Sequence, residues 1–245
     1  MADEIIPGWE IVDLSLYSQK RKLLAIADLH LGYEGMMNKE GVLLPRFNFK
    51  EIQKRLRERV FSVLKKGGKG IEFILINGDL KHEFGTISEQ EWNEVIDLLR
   101  FLQKYCKKII LVKGNHDSIL GPIAKWEGIE ILDEFFLGEG KLLFLHGNKT
   151  EPGKIDSAKT IVIAHEHPAV SISEGAKHEL FKCFLRGKWK GKTLVVMPSL
   201  NAISIGADIT REKRLSPFLK QDLQEFEVWV VEDRPYFFGK LKELA

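Results

Sequence analysis

The chain has 245 residues, 44% of them hydrophobic and 29% charged. That composition excludes a disordered chain and supplies enough apolar residues for one sizeable core. Lys and Arg total 37 against 35 Asp and Glu, so the net charge of +2 gives no broad basic face for long nucleic acid, although a local basic patch stays open.

The chain opens Met1-Ala2-Asp3-Glu4, which is acidic and lacks the basic start and apolar centre of an export leader. Residues 12–17 read as a strand. Residues 23–27 are an apolar run that ends in Asp28-Leu29-His30. The connection over 31–48 carries Gly32, Gly35, Gly41 and Pro45 without clear periodicity, and is expected to be a long functional or mobile loop. Residues 49–65 are predicted to be a helix, with Ile52, Leu56, Val60, Val63 and Leu64 on one stripe and Gly67-Gly68 as its stop. The run 73–76 ends in Asn77-Gly78-Asp79. A helix over 88–105 starts on a Ser88/Glu91 capping box and carries Trp92, Val95, Ile96, Leu99 and Leu102 on one face.

From there the strands come faster. Run 109–112 ends in Lys113-Gly114-Asn115-His116-Asp117, run 142–145 in His146-Gly147, and run 160–164 in His165-Glu166-His167. Run 194–197 leads into Pro198-Ser199, and 226–231 is a further strand. Short runs rich in Ile, Val and Leu read as buried strands. Strand, helix, strand, helix, strand predicts a parallel start to an α/β fold. No apolar run approaches the ~18 residues of a membrane span, and a cytoplasmic location is expected. Cys106 and Cys183 lack CxxC spacing and are expected to stay reduced. No repeat or composition shift divides the chain, so one domain over 1–245 is expected.

The chemistry gathers where the runs end. Ligands of open α/β sheets bind at the carboxyl ends of strands. Asp28, His30, Asp79, Asn115, His146, His165 and His167 all fall there. If the chain stays extended, Asp28 and His30 point the same way, as do His165 and His167. Gly78 and Gly114 permit tight turns before Asp79 and Asn115. Imidazoles suit Zn, Mn, Fe, Ni or Cu, and carboxylate and amide oxygens shift the preference toward harder ions such as Mn. Seven donors exceed one tetrahedral ion with an open position. They suit two ions ~3.5–4 Å apart that share a carboxylate and a hydroxide and hold phosphoryl oxygens for in-line attack.

In order, Asp28-Leu29-His30, Gly78-Asp79, Gly114-Asn115-His116-Asp117, His146 and His165-Glu166-His167 resemble the five motifs of the calcineurin-like metallophosphoesterases. One departure is Ala164, where the family usually has Gly. The resemblance implies a four-layer αββα sandwich with a two-metal site at its edge. It implies one ion held by Asp28, His30, Asp79 and His167, and another by Asp79, Asn115, His146 and His165, with Asp79 as the bridge. Both ions are expected to be divalent transition metals, Mn²⁺ first, with Ni²⁺, Co²⁺, Fe²⁺ and Zn²⁺ as alternatives. His116 is the implied near-site histidine, either a proton donor to the leaving oxygen or a stabiliser of the transition state. Asp117 either orients His116 or caps the following turn.

Gly78-Asp79-Leu80-Lys81-His82 departs from the phosphoprotein phosphatase pattern and resembles the SbcD-type repair nucleases. There the residue matching His82 lies beside the scissile phosphate, and the alternative for His82 is an inert loop histidine. Too few residues follow His167 for a DNA-capping domain, which points to the small SbcD-related phosphoesterases, including archaeal and DNA-ligase-associated members. The expected function is metal-dependent hydrolysis of phosphodiesters in nucleotides or short nucleic acid by a metal-bridging hydroxide. The alternatives are a phosphomonoesterase and a non-catalytic scaffold. Homo-oligomers and a DNA-repair partner are left open. Lys182, Arg186, Lys188, Trp189, Lys190 and Lys192 read as a solvated turn, or else a nucleic-acid contact. Arg46 and His178 are weaker candidates.

Overall fold

The computed structural model describes residues 4–150, 153–174 and 177–244, so the first three residues of the leader reading lie outside it. The first sheet runs in spatial order β1 (Glu4–Ile6), β2 (Trp9–Val12), β3 (Ser15–Ser18), β4 (Leu23–Ile26), β5 (Phe73–Asn77), β6 (Lys108–Val112) and β7 (Glu130–Leu132). Its first four strands are antiparallel, and β4 to β7 are parallel, as the βαβ rhythm predicts. The predicted single strand over 12–17 is instead a hairpin. Asp13 takes φ 53° at the turn, and Val12 pairs with Ser15.

The second sheet contains β8 (Phe135–Leu137), β9 (Leu142–Phe144), β10 (Thr160–Ile163), β11 (Pro168–Glu174), β12 (Lys177–Trp189), β13 (Lys192–Val196) and β14 (Ala207–Asp208). Two further strands extend it: β15 (Glu227–Val231) pairs with β12, and β16 (Pro235–Lys240) pairs with β15. Strands β9, β10 and β13 are parallel, so His146 and His165 leave neighbouring strands at the same end.

Helices α1 (Tyr33–Lys39), α2 (Asn48–Arg55), α3 (Ser62–Lys66), α4 (Glu89–Leu102) and α5 (Gly121–Glu127) all fall between strands of the first sheet in sequence. A single π-helical stretch, Leu56–Phe61, joins α2 to α3 and keeps Ile52, Leu56, Val60 and Leu64 buried together. The Ser88/Glu91 capping box is present at the start of α4. The predicted loop over 31–48 contains α1, whose seven residues are too few to show a period. The main core packs helix side chains and both sheets together, and holds Phe144, Val162, Phe184, Val195 and Trp229 of the second sheet in one cluster with Ile74, Leu75, Ile76 and Leu111 of the first. The alternate residues Leu143, Ile161, Leu185, Leu194 and Val228 form a second cluster. Ile209, Phe218, Leu219, Leu223 and Phe226 cover it from irregular chain with one 3₁₀ turn, Pro217–Leu219. The mixed α/β fold of two packed sheets is as expected, and its outermost layer is irregular where a helix was implied.

The stretch over 182–192 is neither a solvated turn nor an open basic patch. Most of it lies in β12, the strand that pairs with β11, β13 and β15, and only Lys190-Gly191 form the turn. Lys182 Nζ donates to the carbonyls of Ser199 (2.8 Å) and Asn201, and its burial lowers the pKa to about 7. Arg186 donates to Glu227 and to the Ile5 carbonyl, while Lys192 donates to the carbonyls of Asp156 and Ala158. Both cysteines are free.

Gly187 shows how tightly β12 is packed. A Cβ built there falls 2.5 Å from the ring of buried Phe226. Gly187→Ala is expected to destabilise the fold by about 1–3 kcal/mol through overpacking, read as a lower denaturant midpoint at unchanged slope.

Candidate metal centre

The site lies where β4, β5 and β6 of one sheet and β9 and β10 of the other come to their carboxyl ends. Asn77, at the end of β5, donates its side-chain amide to the Leu145 carbonyl beyond β9 (3.2 Å) and ties the two sheets together there. The convergence does not come from strand alternation. Asp28, His30, Asp79, His165 and His167 all have positive φ, between 46° and 68°. For non-glycine residues that conformation costs roughly 1–2 kcal/mol each. Backbone hydrogen bonds hold it: the Asp28 amide donates to Gly78 O (3.2 Å), His30 to Asp79 O (3.0 Å) and Leu31 to Leu80 O (3.0 Å).

Two groups of donors result. In one, His30 Nε2 is 3.1 Å from His167 Nε2, and His167 Nε2 is 3.3 Å from Asp28 Oδ2. In the other, His146 Nε2 lies 3.0 Å from Asn115 Oδ1, 3.1 Å from His165 Nδ1 and 3.2 Å from Asp79 Oδ2. Asp79 Oδ2 is also 3.8 Å from His30 Nε2, so one oxygen faces both groups. The other oxygen, Oδ1, is occupied by the His116 amide (3.0 Å). All seven predicted donors are therefore brought together. Asp28, His30 and His167 form one set able to hold a metal ion, and Asp79, His146 and His165 form another.

The residues fit divalent ions. Imidazole nitrogens face one another at 3.1 Å in both groups. Asp28 Oδ1 and His146 Nδ1 are buried without a hydrogen bond. Burial lowers the pKa of His165 to about 4, helped by the charge of His146, so it offers a lone pair at neutral pH. Burial and the neighbouring His167 likewise hold His30 well below its usual value. For His146 burial acts downward, but the Asp79 hydrogen bond and the charges of Asp79 and Asp28 overcome it and raise the pKa to about 9. Burial acts upward on Asp79, yet His146 and the other imidazoles bring it far below the ordinary carboxylate range. This tight carboxylate–imidazole pairing is the charge pattern that a cation entering the site would exchange with a proton.

His82 and His116 border the same cleft, stacked at 5.2 Å between ring centroids. His82 Nδ1 is 3.1 Å from His30 Nδ1, and burial lowers its pKa to about 4. His116 Nδ1 donates to the His82 carbonyl. Asp117 does not touch the His116 ring. Its Oδ2 accepts from Gly114 N (2.9 Å) and its Oδ1 from Leu80 N (3.0 Å), so it clamps the two turns that present Asp79 and Asn115. Burial raises its pKa to about 6. Arg46 is exposed in a separate depression beside Glu94, and His178 lies in β12 outside the metal-competent groups found among the described residues.

Several supporting residues carry no motif. Buried Glu91 accepts from the amides of His82 (3.0 Å) and Glu83 (2.7 Å) while also closing its capping box. Asn48 Nδ2 donates to the carbonyls of Leu29 and His30, and Asn201 Nδ2 to that of Leu29. Ser199 Oγ donates to the Asp28 carbonyl (2.6 Å). The only sequence signals were the capping pattern at Glu91 and the Pro198-Ser199 pair after an apolar run.

Gly114 and Gly78 admit the donors by lacking side chains. A Cβ on Gly114 falls 2.1 Å from Asp79 Oδ1, and one on Gly78, whose φ is 86°, falls 2.0 Å from His146 Nδ1. Gly114→Ala and Gly78→Ala are expected to lose most transition-metal loading while keeping their secondary structure. Elemental analysis and circular dichroism on the same samples check this.

Known proteins were compared with this geometry in view. No curated protein sequence matches the chain. The nuclease MPE of Pseudomonas putida is similar in structure, with a TM-score of 0.64 and 19% identity over 94% of this chain and 94% of that one. Vacuolar Protein Sorting 29 of Cryptosporidium parvum matches at a TM-score of 0.39 and 16% identity over 89% and 97%. Residues 21–220 match the family described as calcineurin-like phosphoesterase, and the chain belongs to that family.

Proposed function

We propose that this chain, acting as one domain, is a dinuclear-metal phosphodiesterase of the SbcD-related type that hydrolyses nucleotides or short nucleic acid. The observation that carries this reading is the single oxygen of Asp79 facing two donor groups, 3.2 Å from His146 Nε2 and 3.8 Å from His30 Nε2. Asp28, His30, Asp79 and His167 would hold one ion. Asp79, Asn115, His146 and His165 would hold the other, with Mn²⁺ favoured by the mix of imidazole, carboxylate and amide donors. Bound there, the ions supply Lewis acidity at the phosphoryl group and a nucleophile at neutral pH.

The chain's own contribution follows from where its ring protons sit. His30 turns Nε2 to the donor group, so its Nδ1–H donates to His82 Nδ1. That leaves the His82 proton on Nε2, where it can donate to a phosphoryl oxygen. His116 gives its Nδ1–H to the His82 carbonyl, so its Nε2 carries a proton for the leaving alcohol only as the imidazolium, a form that burial disfavours and the Asp79 carboxylate partly restores. Asp117 holds the turns and takes no part in the chemistry. A protein named as a nuclease is built on the same fold, which agrees with a diester substrate.

Hydrolysis of bis-p-nitrophenyl phosphate with added Mn²⁺ tests the reading. Asp79→Ala is expected to lose both metal loading and turnover. His116→Ala is expected to keep its metal and lose about 10²–10⁴-fold in rate. A strong preference for p-nitrophenyl phosphate would make the protein a monoesterase. No turnover with Mn²⁺, Ni²⁺, Co²⁺ or Zn²⁺ would overturn the proposal.

A further inference from the structure

Four aromatic rings form a row: Tyr33, His82 and His116 line the cleft, and Phe84 lies against His116 at its end. Tyr33 meets His82 edge-on at 4.6 Å, His82 stacks with His116 at 5.2 Å, and Phe84 lies against His116 at 3.6 Å. The first three are largely covered. Phe84 is 64% exposed, although it ends a row that runs through two histidines of the site. Scattered exposed hydrophobic side chains need no explanation. Phe84 differs in being both in ring contact with a site histidine and held in place from both sides.

The segment around it is pinned. The amides of His82 and Glu83 donate to buried Glu91, and the Lys81 ammonium donates to the Glu83 carbonyl. On the far side Thr86 Oγ1 donates to Glu83 Oε2 (3.1 Å), and the Ser88 amide donates to Glu91 Oε2 (3.1 Å). The ring is thus presented by a braced turn, with little left to order when a ligand arrives. Leu215, another exposed apolar side chain, lines the same cleft. Phe84 and Leu215 thus put exposed apolar surface next to a cleft lined by imidazoles and carboxylates. A ligand that matches both has a phosphate joined to a flat aromatic body.

We propose that Phe84 is a nucleobase platform, stacking a base of the nucleoside esterified to the scissile phosphate. This rests on the phosphodiesterase reading and adds to it the residue that recognises the base. Every base has a π face, so the platform is indifferent to sequence. It also needs no basic surface, in keeping with the net charge of +2.

The test compares dithymidine monophosphate with two analogues in which one or the other nucleoside carries tetrahydrofuran in place of base and sugar. Products are followed by chromatography with Mn²⁺ present. Wild type is expected to prefer dithymidine, in kcat/KM, over one of the analogues by about tenfold or more. Phe84→Ala is expected to erase that preference mainly through KM, Phe84→Leu to restore little of it, and Phe84→Trp to restore it. An equal fall for all three substrates in Phe84→Ala would show that the ring merely packs against His116, and would overturn the platform. So would a wild-type enzyme without any preference among them, while leaving the phosphodiesterase reading intact. Failure of wild type to cleave bis-p-nitrophenyl phosphate as well would overturn both.

Discussion

Two carboxylates, one amide and four imidazoles face one another across about 3 to 4 Å in a largely buried space. Groups of this kind repel or compete unless a cation or a proton lies between them. They also demand an unusual backbone, since five of the seven sit in left-handed conformations. The unfavourable terms amount to several kcal/mol by the general scale of such strain. Everything around the site can be understood as what keeps these residues from relaxing.

What keeps them there is mostly hydrogen bonding to backbone. After β4 and β5 end as strands, their chains remain paired through Asp28, His30 and Leu31, and an isolated bridge joins Leu31 to Lys81. Buried polar side chains add further bonds to the amides and carbonyls of these turns. Asp117 serves Gly114 and Leu80, Glu91 serves His82 and Glu83, and Asn48, Ser199 and Asn201 serve the carbonyls of residues 28–30. Lys182 in turn anchors the 199–201 backbone from inside the second sheet. A buried polar network is strong only when every member is satisfied, so these residues work as a set.

The chemistry of the site was legible because its residue types are rare at strand ends and each apolar run announced one. The two long helices were legible from period and capping. The route by which the donors converge was not, because nothing in Asp28-Leu29-His30 distinguishes an extended segment from one that alternates into the left-handed region. The strand β12 was hidden for another reason. Lys182, Arg186 and Lys188 look like a solvated run until the sheet pairs alongside, bringing the Ser199 and Asn201 carbonyls to Lys182, Glu227 of β15 to Arg186 and Thr193 of β13 to Lys188. Glu91 was visible only as a helix cap, since its second task depends on a turn that is distant from α4 in the fold's logic though near it in sequence.

His30 and His167 are 137 residues apart in sequence, and their ring nitrogens are 3.1 Å apart in space. Contacts of such long range are the slowest to form, because loop closure must precede any gain from them. The donors come from both sheets, so neither sheet alone can assemble the cluster. Both sheets must therefore be in place before the centre exists. A truncated or half-folded form carries some or all of the motifs and none of their geometry, which makes the cleft a late-acquired property of this molecule and a sensitive reporter of complete folding.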